Sequence, residues 1–338
     1  MLLHTTSYAR AGLLGNPSDG YYGKTISFTM RDFKATVTLY ESPRVQLIPA
    51  AGVDDAVFDD LDALVQDVQL FGYYGGIRLL KAVIKIFRHY CEKHGIRLPK
   101  RNFTVEYRSN IPRLVGMAGS SAICTAMFKS LLKFYEVDCQ KELIPTLCWR
   151  AERDELGIQC GLQDRVVQVY NGLVYMDFDR KLFDANDHGA YVPLAASILP
   201  NLFMAYDPRR AEISGVYHKR LRVLFEEGEA DIIAAMSEFA DIARQGYEAL
   251  INSDTTKLPE LINANFDLRD RIFNVAEENR RMVLQAREAG ASAKFAGSGG
   301  AIVGTYEDQA MLTELRRTLK EIGCEVLTPG IVPGDGNL

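Results

Sequence analysis

Pro112-Arg113-Leu114-Val115-Gly116-Met117-Ala118-Gly119-Ser120-Ser121-Ala122 is a run rich in small residues that opens onto apolar positions at helical spacing, Ile123, Met127, Leu131 and Phe134. Phe103, Val105 and Tyr107 alternate ahead of it as a strand. Strand, glycine-rich turn and helix therefore follow in order. Small residues before a helix leave backbone N–H groups exposed at the positive end of its dipole, which suits a phosphate, and a nucleotide is the natural guest. A tight turn capped by serine gives the same pattern, so the loop alone does not decide the chemistry.

Outward from this loop, Ile77, Leu80, Ile84, Phe87 and Cys91 mark an earlier amphipathic helix that stops at His94-Gly95. Alternation predicts a strand at 34–40, and the pattern adds a short strand-like run at 45–48, a helix over 145–156 and a strand over 173–178. Beyond residue 184 the pattern changes. A strand at 202–206 leads into helices over 214–226, 230–250 and 258–289. Strands at 293–295 and 301–306 are joined through Gly297-Ser298-Gly299-Gly300, and a helix over 309–322 precedes a strand near Val326. The expectation is an α+β protein of two lobes, 1–185 and 186–338, with a mobile tail at 333–337.

Composition narrows the function classes. Across 338 residues, 47 % are hydrophobic and 25 % charged, as in a globular chain. Thirty-nine basic against 44 acidic residues give a net charge of -5, which argues against an extended nucleic-acid surface. The six cysteines form no CxxC pair, which predicts reduced, mostly buried thiols of a cytosolic protein. The first fifteen residues lack both a basic flank and a long apolar core, so neither a signal peptide nor a membrane span is expected.

Two familiar nucleotide motifs fail. Gly23-Lys24-Thr25 imitates the end of a P-loop, but Ser18 stands where its first glycine belongs. Gly297-Ser298-Gly299 lacks the last glycine of a dinucleotide fingerprint, with Ile302 there and a strand following, which disfavours a nicotinamide oxidoreductase. Phosphoryl transfer needs a metal, a positioned nucleophile and charge stabilisation, and Glu152, Asp164, Asp19 and Arg10 are the candidates. A helix cap at Asp164 and a solvated face at Glu152 are the plainer alternatives.

Taken in order, Ala9-Arg10-Ala11-Gly12-Leu13-Leu14-Gly15-Asn16-Pro17-Ser18-Asp19, the loop from Pro112 to Ala122, and Phe295-Ala296-Gly297-Ser298-Gly299-Gly300-Ala301 resemble the three motifs of the GHMP kinases. Gly23 with Thr25-Ile26-Ser27, Asn110-Ile111-Pro112-Arg113, Leu156-Gly157-Ile158, Gly161-Leu162-Gln163-Asp164-Arg165-Val166 and Asn265-Phe266-Asp267-Leu268-Arg269 resemble, more narrowly, the glucuronokinases. The resemblance implies a two-lobed fold with its active site in the cleft. It implies transfer of the ATP γ-phosphoryl group to the anomeric hydroxyl of D-glucuronate, in the cytoplasm, with a product that feeds UDP-glucuronate synthesis. Asp164 would be the base and Arg10 would stabilise charge. Gly116, Ala118, Gly119, Ser120, Ser121 and Ala122 would line the phosphates, and Glu152 with Ser121, or its neighbour Ser120, would hold Mg²⁺.

On the acceptor side, the resemblance gives Asp19 the sugar hydroxyls and brings Gly297, Ser298, Gly299 and Gly300 to the cleft. Galactokinases carry an acidic residue and a histidine where this chain has Asn16 and Pro17, which turns the reading away from neutral galactose. A uronate demands positive charge, for which Arg165, Arg113 and Lys24 are candidates. The region 71–74 is a candidate for adenine, with aromatic packing as its alternative. Another sugar or sugar acid, or a noncatalytic sensor of ATP and sugar, are the competing functions.

Overall fold

The computed structural model describes residues 1–48, 56–73, 77–209 and 215–334. The larger sheet contains β1 (Leu2–Leu14), β2 (Lys24–Ser42), β3 (Val45–Ile48), β4 (Ala56–Phe58), β5 (Asn102–Ser109), β6 (Leu173–Asp177) and β7 (Ala190–Leu194). Its order is β4-β3-β5-β2-β6-β7, with β1 paired along β2. The long β2 pairs with β6 over its first part and with β5 over its second. Among the described strands of this sheet, only β3 and β5 run parallel. Pairing of β7 with β6 carries this sheet past residue 185.

β1 lacks an apolar alternation because its buried face reads Thr5, Ser7, Ala9, Ala11 and Leu13. Small residues there let a helix lie close against the strand. Register shifts at Tyr8/Ala9 and Gly12/Leu14 bracket Arg10. Such bulges re-aim side chains, and here they accompany an arginine directed into the interior.

Helices α1 (Leu61–Phe71), α2 (Arg78–Lys93), α3 (Gly119–Tyr135), α4 (Ile144–Arg150), α5 (Gln163–Tyr170) and α6 (Arg180–Asn186) belong to this half. The core between α2, α3 and the sheet is aromatic, with Phe87 against Phe128 and Phe103 against Phe134 edge-to-face. Residues 145–156, expected as one helix, are α4 continued by a π-helical turn at Ala151–Glu155.

The second sheet is antiparallel, with strands β8 (Leu202–Tyr206), β9 (Lys294–Phe295), β10 (Ala301–Thr305) and β11 (Glu325–Leu327) in the order β11-β8-β10-β9. Its helices are α7 (Gly215–Glu226), α8 (Ala230–Ile251), α9 (Leu258–Ile272), α10 (Glu277–Glu288) and α11 (Gln309–Glu321). The single helix expected over 258–289 is two, because Phe273 leaves helical geometry for extended backbone and Ala276 is extended ahead of α10. The halves meet along β1 and β2. Gly246 of α8 sits where a Cβ would overlap Leu14, and Tyr247 stacks on Tyr175 at 4.2 Å. Ile331 bridges Met30, and Val332 donates to Thr29. Of the tail expected to be mobile, 335–337 lie outside the described residues. All six cysteines are free. Among the described residues, no helix is long and apolar enough to cross a membrane.

Candidate active site

The loop before α3 is held in a shape that bares its backbone. Gly116 has φ +72° and Ala118 φ +63°, the latter a left-handed conformation that costs a residue with a Cβ and clusters at functional sites. Gln168 Nε2 donates to Ala118 O at 3.0 Å and to Tyr8 O at 3.1 Å, pinning loop to strand. No side chain caps α3, and Ser121 Oγ instead donates back to Ala118 O at 3.0 Å. The serine-capped alternative therefore does not describe this turn. The first-turn N–H groups of α3 keep the dipole geometry that binds anions.

Gly297 faces this loop so closely that a Cβ on it would overlap Gly116 O, and a Cβ on Gly116 would lie 2.7 Å from Gly299 O. Two of the three small-residue segments thus meet backbone to backbone, as only glycine permits. The third joins through Arg10. Its Nε donates to Asp164 Oδ1 at 2.8 Å, and its Nη1 donates to Gly116 O at 3.0 Å and Ala296 O at 2.6 Å. Asp164 lies in the first turn of α5.

Asp19 stands beside them on a short 3₁₀ turn, Ser18–Gly20. It accepts from Gln163 N at 3.1 Å and Gln163 Nε2 at 3.0 Å, while Ser27 Oγ donates to Gln163 Oε1 at 2.8 Å and so fixes that amide. Gly161 lets the carboxylate approach, since a Cβ there would overlap Asp19 Oδ2. Burial, and then the like charge of Asp164, raise the Asp19 pKa from 3.8 to about 6.

Glu152 is fully buried on the π-helical turn, where Arg165 Nε donates to its Oε2 at 2.9 Å and Arg165 Nη2 to the same oxygen. Its Oε1 is buried without a protein partner. Arg165, considered from sequence as a reader of the substrate carboxylate, is itself buried and spends its remaining Nη1 on Gly161 O at 2.8 Å. Among the described residues no cluster of three or more His, Cys, Asp or Glu forms a metal cage. The orphaned Oε1 and the Ser121 hydroxyl are nonetheless hard oxygen donors, of the kind that suits a divalent cation.

A cavity of about 660 Å³ joins these pieces. Arg10, Asp19, Asp164, Arg165, Gly116, Ala118, Gly119, Ser120, Arg113, Gly297 and Ser298 line it. Ser121, Ala122, Glu152, Gly299 and Gly300 lie buried and outside that lining. Lys24 is not brought to the cleft and pairs with Asp177 across β2 and β6. At 71–74, Phe71 is exposed, the Tyr73 hydroxyl donates to Glu155, and Tyr74 lies outside the described residues. Leu79, Tyr107 and Ile111 line the cavity instead.

Several residues were not assigned from sequence. Arg269 of α9 donates to Gly297 O at 3.1 Å and Ser298 O at 2.9 Å. Asn265 Oδ1 accepts from Gly15 N at 2.7 Å, and Nδ2 donates to Asn16 O at 3.2 Å. Both belong to the 265–269 segment, so the motif was visible while its work, tying α9 to the first and third loops, was not. Buried Lys294 donates to Gly12 O, Phe295 O and Asn16 Oδ1, with its pKa held well below the usual lysine range by burial and then by Arg269 and Arg10. Arg222 of α7 also lines the cavity, and no local motif announces it.

Residues 78–172 match the family described as GHMP kinases N terminal domain. The chain is 45 % identical to Glucuronokinase 1 of Arabidopsis thaliana, covering 88 % of this chain and 83 % of that protein. It is 46 % identical to Probable glucuronokinase 2 of the same plant, covering 88 % and 82 %. The fold matches galactokinase of Lactococcus lactis, complexed with galactose, at a TM-score of 0.80 and 15 % identity, over 100 % of this chain and 95 % of that one. Kinship at this level, across nearly the whole length, places the chain in the glucuronokinase family of the GHMP kinases.

Proposed function

We propose that this protein transfers the γ-phosphoryl group of ATP to the anomeric hydroxyl of D-glucuronate, releasing ADP and glucuronate 1-phosphate. The observation that carries the reading is Asp164, fixed by Arg10 in a cleft that has an uncapped helix N-terminus on one side and Asp19 on the other. In this reading the N-terminal lobe binds ATP, with its phosphates at the first turn of α3.

Asp164 Oδ accepts the proton of the sugar C1 hydroxyl as its oxygen bonds to the γ-phosphorus and the bond to the bridging β–γ oxygen breaks. The Arg10 guanidinium lies beside Asp164 and carries a fixed positive charge to the developing negative charge, at no reorganisation cost. Asp19 accepts hydrogen bonds from the sugar hydroxyls and orients the acceptor. Glu152, through Oε1, and Ser121 would hold Mg²⁺, which when bound neutralises charge on the β- and γ-phosphates.

The test is incubation with Mg·ATP and glucuronate, galacturonate, glucose, galactose and arabinose, measuring ADP and sugar 1-phosphate. Preference for glucuronate supports the assignment. Preference for another sugar replaces the acceptor, and binding of ATP and sugar without turnover replaces the kinase by a sensor.

A further inference from the structure

Because a uronate differs from the neutral hexose by one carboxylate, its recognition calls for a cation whose donor edge is free inside the cleft. The cations near Asp19 are largely committed. Arg10 is spent on Asp164, Gly116 O and Ala296 O, Arg165 on Glu152 and Gly161 O, and both terminal nitrogens of Arg269 on Gly297 O and Ser298 O. Lys24 is outside the cleft. Arg113 is exposed on the loop before α3, two residues from Ile111, and Arg78 begins α2 next to Leu79.

Arg222 differs from all of these. Its guanidinium carbon lies 5.1 Å from the ring centroid of Tyr21, two residues beyond Asp19, and Phe225 packs on the same ring edge-to-face at 5.0 Å. Its ion pair is a long one, 3.8 Å to Glu226, whose side chain is 65 % exposed, which makes the pair weak and easily exchanged. A guanidinium held over a ring is engaged through its charge and still carries N–H donors that suit a planar carboxylate. Asp19, which lines the same cavity, repels a second carboxylate, which would orient the acceptor with its hydroxyls toward Asp19 and its acid group toward α7.

The geometry points to Arg222, seated on Tyr21, as the specificity-determining residue that binds the carboxylate of the acceptor. This rests on the uronate reading above. The test compares the wild-type protein with Arg222→Gln and Arg222→Lys, using Mg·ATP with glucuronate and with glucose, and measuring ADP and sugar 1-phosphate. With Arg222→Gln the KM for glucuronate should rise roughly 10- to 100-fold, the loss expected for a charge-assisted hydrogen bond, while the KM for ATP holds. Arg222→Lys should fall between, since it keeps the charge and loses the fork. Should the Gln variant melt early, the Lys variant carries the same comparison.

An Arg222→Gln protein with the wild-type ratio of glucuronate to glucose kcat/KM would overturn the role of Arg222 and leave the uronate reading intact. Wild-type protein that prefers a neutral sugar would overturn both. A uronate other than glucuronate, with the same loss in the variant, would preserve Arg222 and revise only the acceptor.

Discussion

Arg10 Nε donates to Asp164 Oδ1 at 2.8 Å across 154 residues of sequence, and Nη2 of the same arginine lies 2.5 Å from that oxygen. One carboxylate oxygen of Asp164 is thereby held from two directions, while its other oxygen lies 3.6 Å from Arg165 Nη1. Asp164→Asn keeps the shape and removes the proposed proton acceptor. Turnover should drop roughly 100- to 10,000-fold with ATP affinity retained, measured by ADP release and nucleotide titration. Near-normal turnover would remove Asp164 as the base.

Arg10→Lys tests the fork rather than the charge. A lysine cannot reach Asp164, Gly116 O and Ala296 O together, so kcat should fall roughly 10- to 100-fold through lost positioning. A variant with unchanged kcat would show that the charge alone suffices.

Asp19 predicts a pH effect with a definite sign. A carboxyl whose pKa rises from 3.8 on folding to about 6 binds its proton more tightly when folded, so it adds stability that is full below pH 3.8 and lost as pH rises through 6. Relative to wild type, Asp19→Asn should therefore gain stability between pH 4 and pH 7, by up to about 3 kcal/mol, read from denaturant melts. The kcat/KM for the sugar should fall below an apparent pKa near 6, because the proposed hydroxyl recognition by Asp19 uses the ionised form. A flat wild-type profile from pH 5 to 8 would remove Asp19 from that role.

Arg165→Gln should act on the fold. It strips the partner from a fully buried Glu152, a change that typically costs about 3–5 kcal/mol. The melting temperature should drop sharply, whatever the acceptor. Normal stability with a selective loss of uronate over hexose would restore Arg165 as a substrate contact.

Gly161→Ala should displace the Asp19 carboxylate. The added methyl would overlap Oδ2, and misplacement of that size can lower the sugar kcat/KM roughly 100-fold while the KM for ATP stays constant. An equal rise in both KM values would mean the damage is general.

How much of this was legible follows from what each residue has to do. The loop at 116–121 and the segment at 297–300 stood out because close backbone approach demands glycine, and the contact between Gly116 and Gly297 is the physical form of that demand. β1 was invisible as a strand because α3 presses on its buried face and selects Thr5, Ser7 and Ala9 over large apolar side chains. The break between α9 and α10 was hidden because apolar spacing continues through Val275. Arg165 looked available because sequence shows a charge but not its partner. Arg222 gave no signal, since its place depends on α7 folding back over Tyr21, a contact between segments 201 residues apart in the numbering (222 against 21).

The carbonyl of Ala296, which fixes the Arg10 guanidinium, has a further consequence for biosynthesis. A ribosome delivers Arg10 286 residues before that carbonyl, and Asp164 long before it as well. A growing chain thus holds both its acid and its arginine through a long stretch of synthesis before the carbonyl that completes their clamp is made. The clamp is complete only when the glycines after β9 meet the loop before α3, so a shorter chain can pair Arg10 with Asp164 and Gly116 O yet lacks the last carbonyl of the hold.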